Sequence, residues 1–309
     1  MQLNHINLWL LEDEGGWTVV DTGIKDSVTA DAWKQLFEGA MGGRPVKRVI
    51  VTHLHPDHVG LAGWLVKRFD VSLWMTRTDY LLCRSLVADS GQQAPEEGVR
   101  FYRAAGFSEE QIEEYKARFG MFGRGVYRLP QSYRRMQDGE RIAIGGRVWE
   151  MVVGRGHAPE HACLWCRQEN LFISGDQILP RISSNVSVFP TEPDGNPLQD
   201  WLDSCAKLRA LLPEDALILP SHNEPFRGAP RRLTELIDTH EQNMKKLVAL
   251  CAEPRRAVDV FPALFRSRIT SGNYGMATGE SIAHLNCLMA RENIRRNTDA
   301  GGVAWYEAA

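Results

Sequence analysis

The sequence predicts a layered α/β domain followed by a smaller helical one. Three observations carry that expectation. Short β-branched runs alternate with amphipathic stretches in a strand–loop–helix–strand rhythm through roughly the first 225 of 309 residues. Metal-competent side chains follow directly on several of those runs. Beyond Arg227-Gly228-Ala229-Pro230 the strand pattern gives way to helical periodicity. At about 150 residues per domain the length suits two units, placed at 1–228 and 229–309.

Two short strands open the chain at about 5–11 and 17–21, with a hairpin turn at Glu14-Gly15-Gly16. A helix is expected over about 25–39, then a buried strand at 47–52 (Lys-Arg-Val-Ile-Val-Thr), whose β-branched residues suit a pleated surface. His-Leu-His-Pro-Asp-His follows, then an amphipathic helix over about 58–69 and a strand near 71–75. Residues 80–135 read as a helical insertion and candidate lid, rich in aromatic residues and arginines. Ser108 and Gln111 form a capping box that opens one of its helices. Most of its aromatics are expected to pack the insertion onto the main body. Strands resume over 139–175, a helix is expected near 198–211, and ALILPSHN supplies the last strand of the first unit. The second unit reads as one helix, then two short helices and a longer one within 255–295, then a terminal GGVAWYEAA strand.

Composition excludes several classes. A net charge of −3 argues against a polyanionic partner, because phosphate-backbone binding needs a basic surface. No apolar run approaches the roughly 18 residues of a membrane helix. The alternating start lacks the basic and apolar regions of a secretion signal. Six cysteines scattered through a long chain suit a reducing cytoplasm better than a disulfide scaffold. Cys163 and Cys166 fall inside a strand pattern and are expected in the core.

The chemistry concentrates in His53-Leu54-His55-Pro56-Asp57-His58. In extended backbone His53 and His55 project to one side and can reach one ion. The Pro56 turn lets Asp57 and His58 face a second point. Imidazole and carboxylate donors suit zinc, iron or manganese. His157, Asp176 and His222 each follow a further strand, at the carboxyl ends where layered α/β folds collect their sites. His161 is expected to support or line the pocket; His5, His240 and His284 read as ordinary structural residues.

Taken in order, from Asp21-Thr22-Gly23 through His-x-His-x-Asp-His to the last histidine, these motifs resemble the metallo-β-lactamase superfamily over about residues 5–225. The resemblance implies a four-layer αββα sandwich with two metals at one edge. One would take His53, His55 and His157, the other Asp57, His58 and His222, with Asp176 bridging. It also implies that Asp21 supports the metal loop. The tail is similar to a winged-helix-like C-terminal domain found in broad hydrolases of the superfamily. A DNA-binding role for it is set aside, because Ala283, Leu285, Leu288 and Met289 look like a packed face and fold does not imply function.

Departures narrow the branch. The commonest zinc β-lactamases carry cysteine at the position of Asp176. Acyl-homoserine lactonases carry a tyrosine between the bridging aspartate and the last histidine, and residues 177–221 hold none. The stretch after Asp176, QILPRISSNVSVFP, differs from the glyoxalase II pattern. Persulfide dioxygenases share the motifs but use one iron. The expectation is therefore a cytoplasmic hydrolase with two divalent ions, zinc first and iron or manganese next. It would cleave a small-molecule ester or thioester, with Asp57 or Asp176 moving the proton. Neither nucleic acid nor membrane is expected as a partner, and an apolar C-terminal helix suggests a homodimer. The alternatives are a lactonase, an iron persulfide dioxygenase, or a non-catalytic binding protein with a vestigial site.

Overall fold

The computed structural model describes residues 4–309. Strands β1 (Trp9–Asp13) and β2 (Gly16–Val20) form the opening hairpin, with Asp13 opposite Gly16 and Gly15 at φ 69° in the turn. That left-handed backbone suits a residue without a Cβ. Strand β2 runs parallel to β3 (Val46–Ile50) across helix α1 (Ser27–Glu38), and β3 parallel to β4 (Leu73–Met75) across α2 (Pro56–Val59) and α3 (Ala62–Phe69). Helices α4 (Arg77–Ala88), α5 (Glu96–Ala105) and α6 (Glu109–Arg118) precede β5 (Arg134–Arg135), which closes the first sheet at its β4 edge. Strands β6 (Arg141–Ile144), β7 (Arg147–Gly154), β8 (His161–Cys166) and β9 (Leu171–Gly175) make an antiparallel meander. After α7 (Pro197–Leu211), β10 (Leu217–Pro220) joins β9 in parallel.

Alternation along the strands builds the layers. Val19 and Val49 pack outward with Trp33, Phe37 and Leu65 of α1 and α3, whereas Val20 and Ile50 point inward at Met151, Leu164 and Ile173 of the second sheet. On that sheet Cys163, Trp165 and Phe172 face the other way, toward Trp201 and Leu208 of α7. Three apolar layers therefore separate helix, sheet, sheet and helix. Each fully buried Val, Leu, Ile or Phe side chain contributes about 1.5–3 kcal/mol. This is the αββα sandwich.

The C-terminal elements are α8 (Ala229–Leu250), α9 (Phe261–Leu264), α10 (Tyr274–Ala290) and the hairpin β11 (Ile294–Thr298) with β12 (Ala304–Ala308). Leu233 and Leu247 of α8 and Ala283, Leu285 and Leu288 of α10 share one apolar cluster with Trp201 and Leu208. The apolar face of α10 that suggested a dimer contact is thus buried within the chain.

Two expectations need correction. The helix expected over 58–69 is two helices, broken at Gly60 and Leu61. A Cβ at Gly60 would clash with Pro56 O and Gly23 O, so the glycine there lets the β2–α1 loop close over the His-x-His-x-Asp-His motif. The charged stretch IRRNT is a strand, paired with the terminal one, where the sequence alone suggested a single strand. In the insertion, the Ser108–Gln111 capping box is present, and Tyr102 packs against Phe101, Phe107 and Tyr115. Among the described residues no helix is long and apolar enough to cross a membrane.

Candidate metal centre

Strands of both sheets end at one edge, and their loops deliver the candidate donors. The chain leaving β3 carries His53, His55, Asp57 and His58; Pro56 starts α2, so Asp57 and His58 sit in a helical first turn. The β7–β8 loop carries His157, and Asp176 and His222 follow β9 and β10. The structure brings all seven together. His53, His55 and His157 converge in one group, Asp57, His58 and His222 in another, and His53, His58 and Asp176 in a third that joins them.

Four imidazoles are aimed by the hydrogen bond at the opposite ring nitrogen. His53 Nδ1 lies 3.0 Å from Thr52 Oγ1, and His58 Nδ1 lies 2.8 Å from Asp21 Oδ2. His157 Nδ1 lies 2.7 Å from Asn185 O, and His222 Nδ1 lies 2.8 Å from His5 O. With Nδ1 so held, each Nε2 faces the cluster, the arrangement expected of metal-competent histidines. His55 differs, presenting Nδ1 at 2.8 Å from His53 Nε2.

The spacing suits cations. His157 Nε2 and His222 Nε2 each lie 3.5 Å from Asp176, His58 Nε2 lies 3.6 Å from both Asp57 and Asp176, and His222 Nε2 lies 3.4 Å from Asp57. These gaps exceed a hydrogen bond, and two donors on a tetrahedral ion at ~2.1 Å would stand about 3.4 Å apart. His58 Nε2, His222 Nε2 and Asp176 Oδ1 are buried with no hydrogen-bond partner. Buried polar atoms seldom stay unsatisfied, so the donor set fits divalent ions on its own geometry.

Electrostatics divides the cluster. Burial, reinforced by the surrounding histidines, holds His53 well below the usual histidine value, and burial with His157 brings His55 down to about 3. For His58 burial opposes the charge, but Asp176, Asp57 and Asp21 outweigh it and raise the ring well above its ordinary value. The same contest, won by Asp176 and Asp57, takes His222 up to about 10. Against the pull of burial, His58 and His222 hold Asp57 down to about 2, and His58, His157 and His222 hold Asp176 well below the carboxylate range. The two anionic carboxylates favour positive charge in the cluster, carried here by His58 and His222, whose protons a divalent cation would displace.

Supporting residues were only partly foreseen. Asp21 accepts from Thr52 N at 2.7 Å and from His58 Nδ1, tying two parts of the motif together. His161 accepts the Asp176 N–H at 3.1 Å and so fixes the backbone of that aspartate. Asp79, which sequence reasoning passed over, is fully buried on α4 and accepts from Leu54 N at 3.0 Å and Glu160 N at 2.8 Å. It clamps the two histidine-bearing loops to each other. His5, read as structural, holds His222 through its carbonyl and accepts from Asn223 N at 3.0 Å through its ring. Cys163 and Cys166 lie on opposite faces of β8, in different apolar layers.

The sequence profile of the Metallo-beta-lactamase superfamily matches residues 2–222, and that of the Metallo-beta-lactamase-like C-terminal domain matches residues 244–309. The crystal structure of a beta-lactamase domain protein from Burkholderia ambifaria is 37% identical, with a TM-score of 0.90 over 100% of this chain and 90% of that one. A Bacillus subtilis protein named "Probable metallo-hydrolase YqjP" is 25% identical over 292 residues, 90% of this chain and 86% of its own length. The atrochrysone carboxyl ACP thioesterase of Aspergillus fumigatus is 28% identical over 98 residues, 32% of this chain and 21% of that protein. With the fold, the motif order and the profile in agreement, the chain belongs to the metallo-β-lactamase superfamily.

Proposed function

We propose that the chain is a hydrolase of esters or thioesters that works with two divalent ions. His53, His55 and His157 would hold one ion and Asp57, His58 and His222 the other, with Asp176 between them. The observation that supports this most is the set of buried, unpartnered donor atoms at metal-like spacing. Zinc is the first candidate for such nitrogen and oxygen donors, with iron or manganese next. Bound there, the ions would supply Lewis acidity toward an acyl carbonyl and water activation near neutral pH.

The chain's own part is to position donors and move a proton. Asp57 is 40% exposed at its side chain while its Oδ2 stays beside His222 and His58, so it faces the mouth of the site. It is the group placed to take a proton from an attacking water. Asp176 is nearly buried and held ionised among three histidines, a second proton acceptor of lower mobility. An alkoxide leaves poorly unless it is protonated as the bond breaks. A thiolate leaves with little help, since thiols ionise near pH ~8.5. That asymmetry favours thioesters.

The substrate side would be formed by the insertion. Lys25 N donates to Gly125 O at 2.9 Å and Tyr127 N to Gly60 O at 2.7 Å, which seats residues 121–127 beside the motif helix α2. Exposed Ile24 and Met121 offer apolar contact for an acyl group, and the exposed Arg124 offers a grip for an acidic handle. The thioesterase relative supports the same substrate class.

The test is turnover of an ester, thioester and lactone panel by the metal-loaded chain, with and without chelator. Chelator-sensitive hydrolysis led by thioesters is expected, and Met121→Ala with Arg124→Ala should raise KM for long acidic acyl thioesters at nearly constant kcat. No hydrolysis by the loaded protein, or oxygen consumption with a persulfide by an iron form, would overturn the reading.

A further inference from the structure

We propose that Glu280, on the C-terminal helix α10, is a positioning residue for the metal centre, fixing the imidazole of His157 through Asn185. The inference rests on the reading above that His157 holds an ion. Glu280 Oε2 accepts from Asn185 Nδ2 at 2.7 Å, and Asn185 O lies 2.7 Å from His157 Nδ1. The Ser187 hydroxyl donates to Asn185 Oδ1 at 2.6 Å, so both ends of the amide are held. The oxygen that faces His157 is the main-chain carbonyl of Asn185, so gripping the side-chain amide at both ends fixes the residue that presents that carbonyl. The His157 proton is thereby kept on Nδ1 and its Nε2 lone pair on the cluster.

The whole 183–188 segment is fastened to the C-terminal helices. Val188 N donates to Gly279 O at 3.0 Å. Ser183 Oγ lies 3.3 Å from His240 Nε2, His240 Nδ1 lies 3.1 Å from His284 Nε2, and His284 Nδ1 lies 2.8 Å from Glu280 O. Burial holds His240 at about 3 and His284 at about 4, so both rings are neutral and the chain of donors runs one way, from Ser183 to α10. On its other side the segment holds the site a second time, because Ser184 Oγ donates to Asp176 O.

Two further observations point the same way. Glu280 is half-buried and has no Lys, Arg or His ion-pair partner among the described residues, so the Asn185 amide is what its carboxylate meets. Gly279 lies within helix α10, where glycine costs about 1 kcal/mol against alanine. A Cβ there would stand 2.8 Å from Ser187 Cβ and 2.9 Å from Val188 O. The glycine is what lets the helix approach the segment.

The experiment titrates the metal-stripped full-length chain with zinc alone against a chromophoric chelator, and follows the histidine side chains by ¹⁵N NMR. Glu280→Ala should weaken one binding step by roughly 10–100-fold, as loss of support behind a ligand does elsewhere, and His157 should lose its fixed Nδ1–H form. Glu280→Gln, whose amide oxygen still accepts from Asn185, should stay near wild type. Asn185→Ala should match Glu280→Ala, and the double variant should be no worse than either. Gly279→Ala should weaken the same step. Unchanged zinc binding in Glu280→Ala, or equal loss in Glu280→Gln, would overturn the inference while leaving the metal centre standing. A wild-type chain that binds no zinc would overturn the metal centre itself and the inference with it. Should Glu280→Ala not fold, Asn185→Ala decides, since unchanged binding there overturns the proposal equally.

Discussion

Replacing Asp79 by alanine should destabilise the chain in a way that depends on pH. Both carboxylate oxygens accept buried backbone N–H groups, one from Leu54 and one from Glu160. Alanine orphans both, at about 1–3 kcal/mol each, or about 2–6 kcal/mol together. The carboxyl itself is strained by its setting. Burial pushes it from 3.8 up to about 6, the two backbone hydrogen bonds pulling the other way. An acid raised in the folded state contributes stability that is fully present below its unfolded value and lost as pH rises through its folded value. The window here is therefore about pH 4–6, and two pH units correspond to about 3 kcal/mol. The advantage of wild type over Asp79→Ala should be largest near pH 4 and shrink by about 3 kcal/mol by pH 6.5. Denaturant unfolding of metal-stripped protein across that range measures it. A difference that does not vary with pH, or no loss at the acid end, would refute the role assigned to Asp79.

Three other outcomes follow from the same geometry. Gly175→Ala places a Cβ 2.5 Å from His161 Cε1 on a backbone at φ 52°, so calorimetry should show a loss of about 2 kcal/mol or more, with weaker metal binding because Asp176 is displaced. Asp176→Ala should lower kcat/KM of the metal-loaded chain by roughly 10²-fold or more, and a change below tenfold would remove it from the proton-transfer and metal roles. All six cysteines are buried and free, so a thiol reagent should label none of them rapidly in the native chain and all of them in denaturant.

Much of the architecture is written locally. The β-branched run at 47–52 and the Glu14-Gly15-Gly16 turn need only nearest neighbours to act, and the strand β3 and the first hairpin appear where those signals lie. The strand-end histidines and aspartates stand out because four metal-competent side chains in six residues have few other uses. What holds them does not stand out. His5 acts on His222 from 217 residues away, Glu280 on Asn185 from 95, and Asp79 on Glu160 from 81. Such pairs exist only once the sheets stack and α10 docks, and each residue alone looks like any histidine, glutamate or aspartate on a helix or terminus. Strand β11 escaped for a related reason. Its Arg-Arg-Asn core has poor strand propensity, and its pairing with Trp305 and Tyr306 makes the strand.

The most direct measurement is anomalous diffraction from crystals of the purified chain, collected at the absorption edges of zinc, iron and manganese. Two peaks are predicted, one among His53, His55 and His157 and one among Asp57, His58 and His222, with Asp176 between them. A single peak, or density away from these residues, would contradict a dinuclear centre.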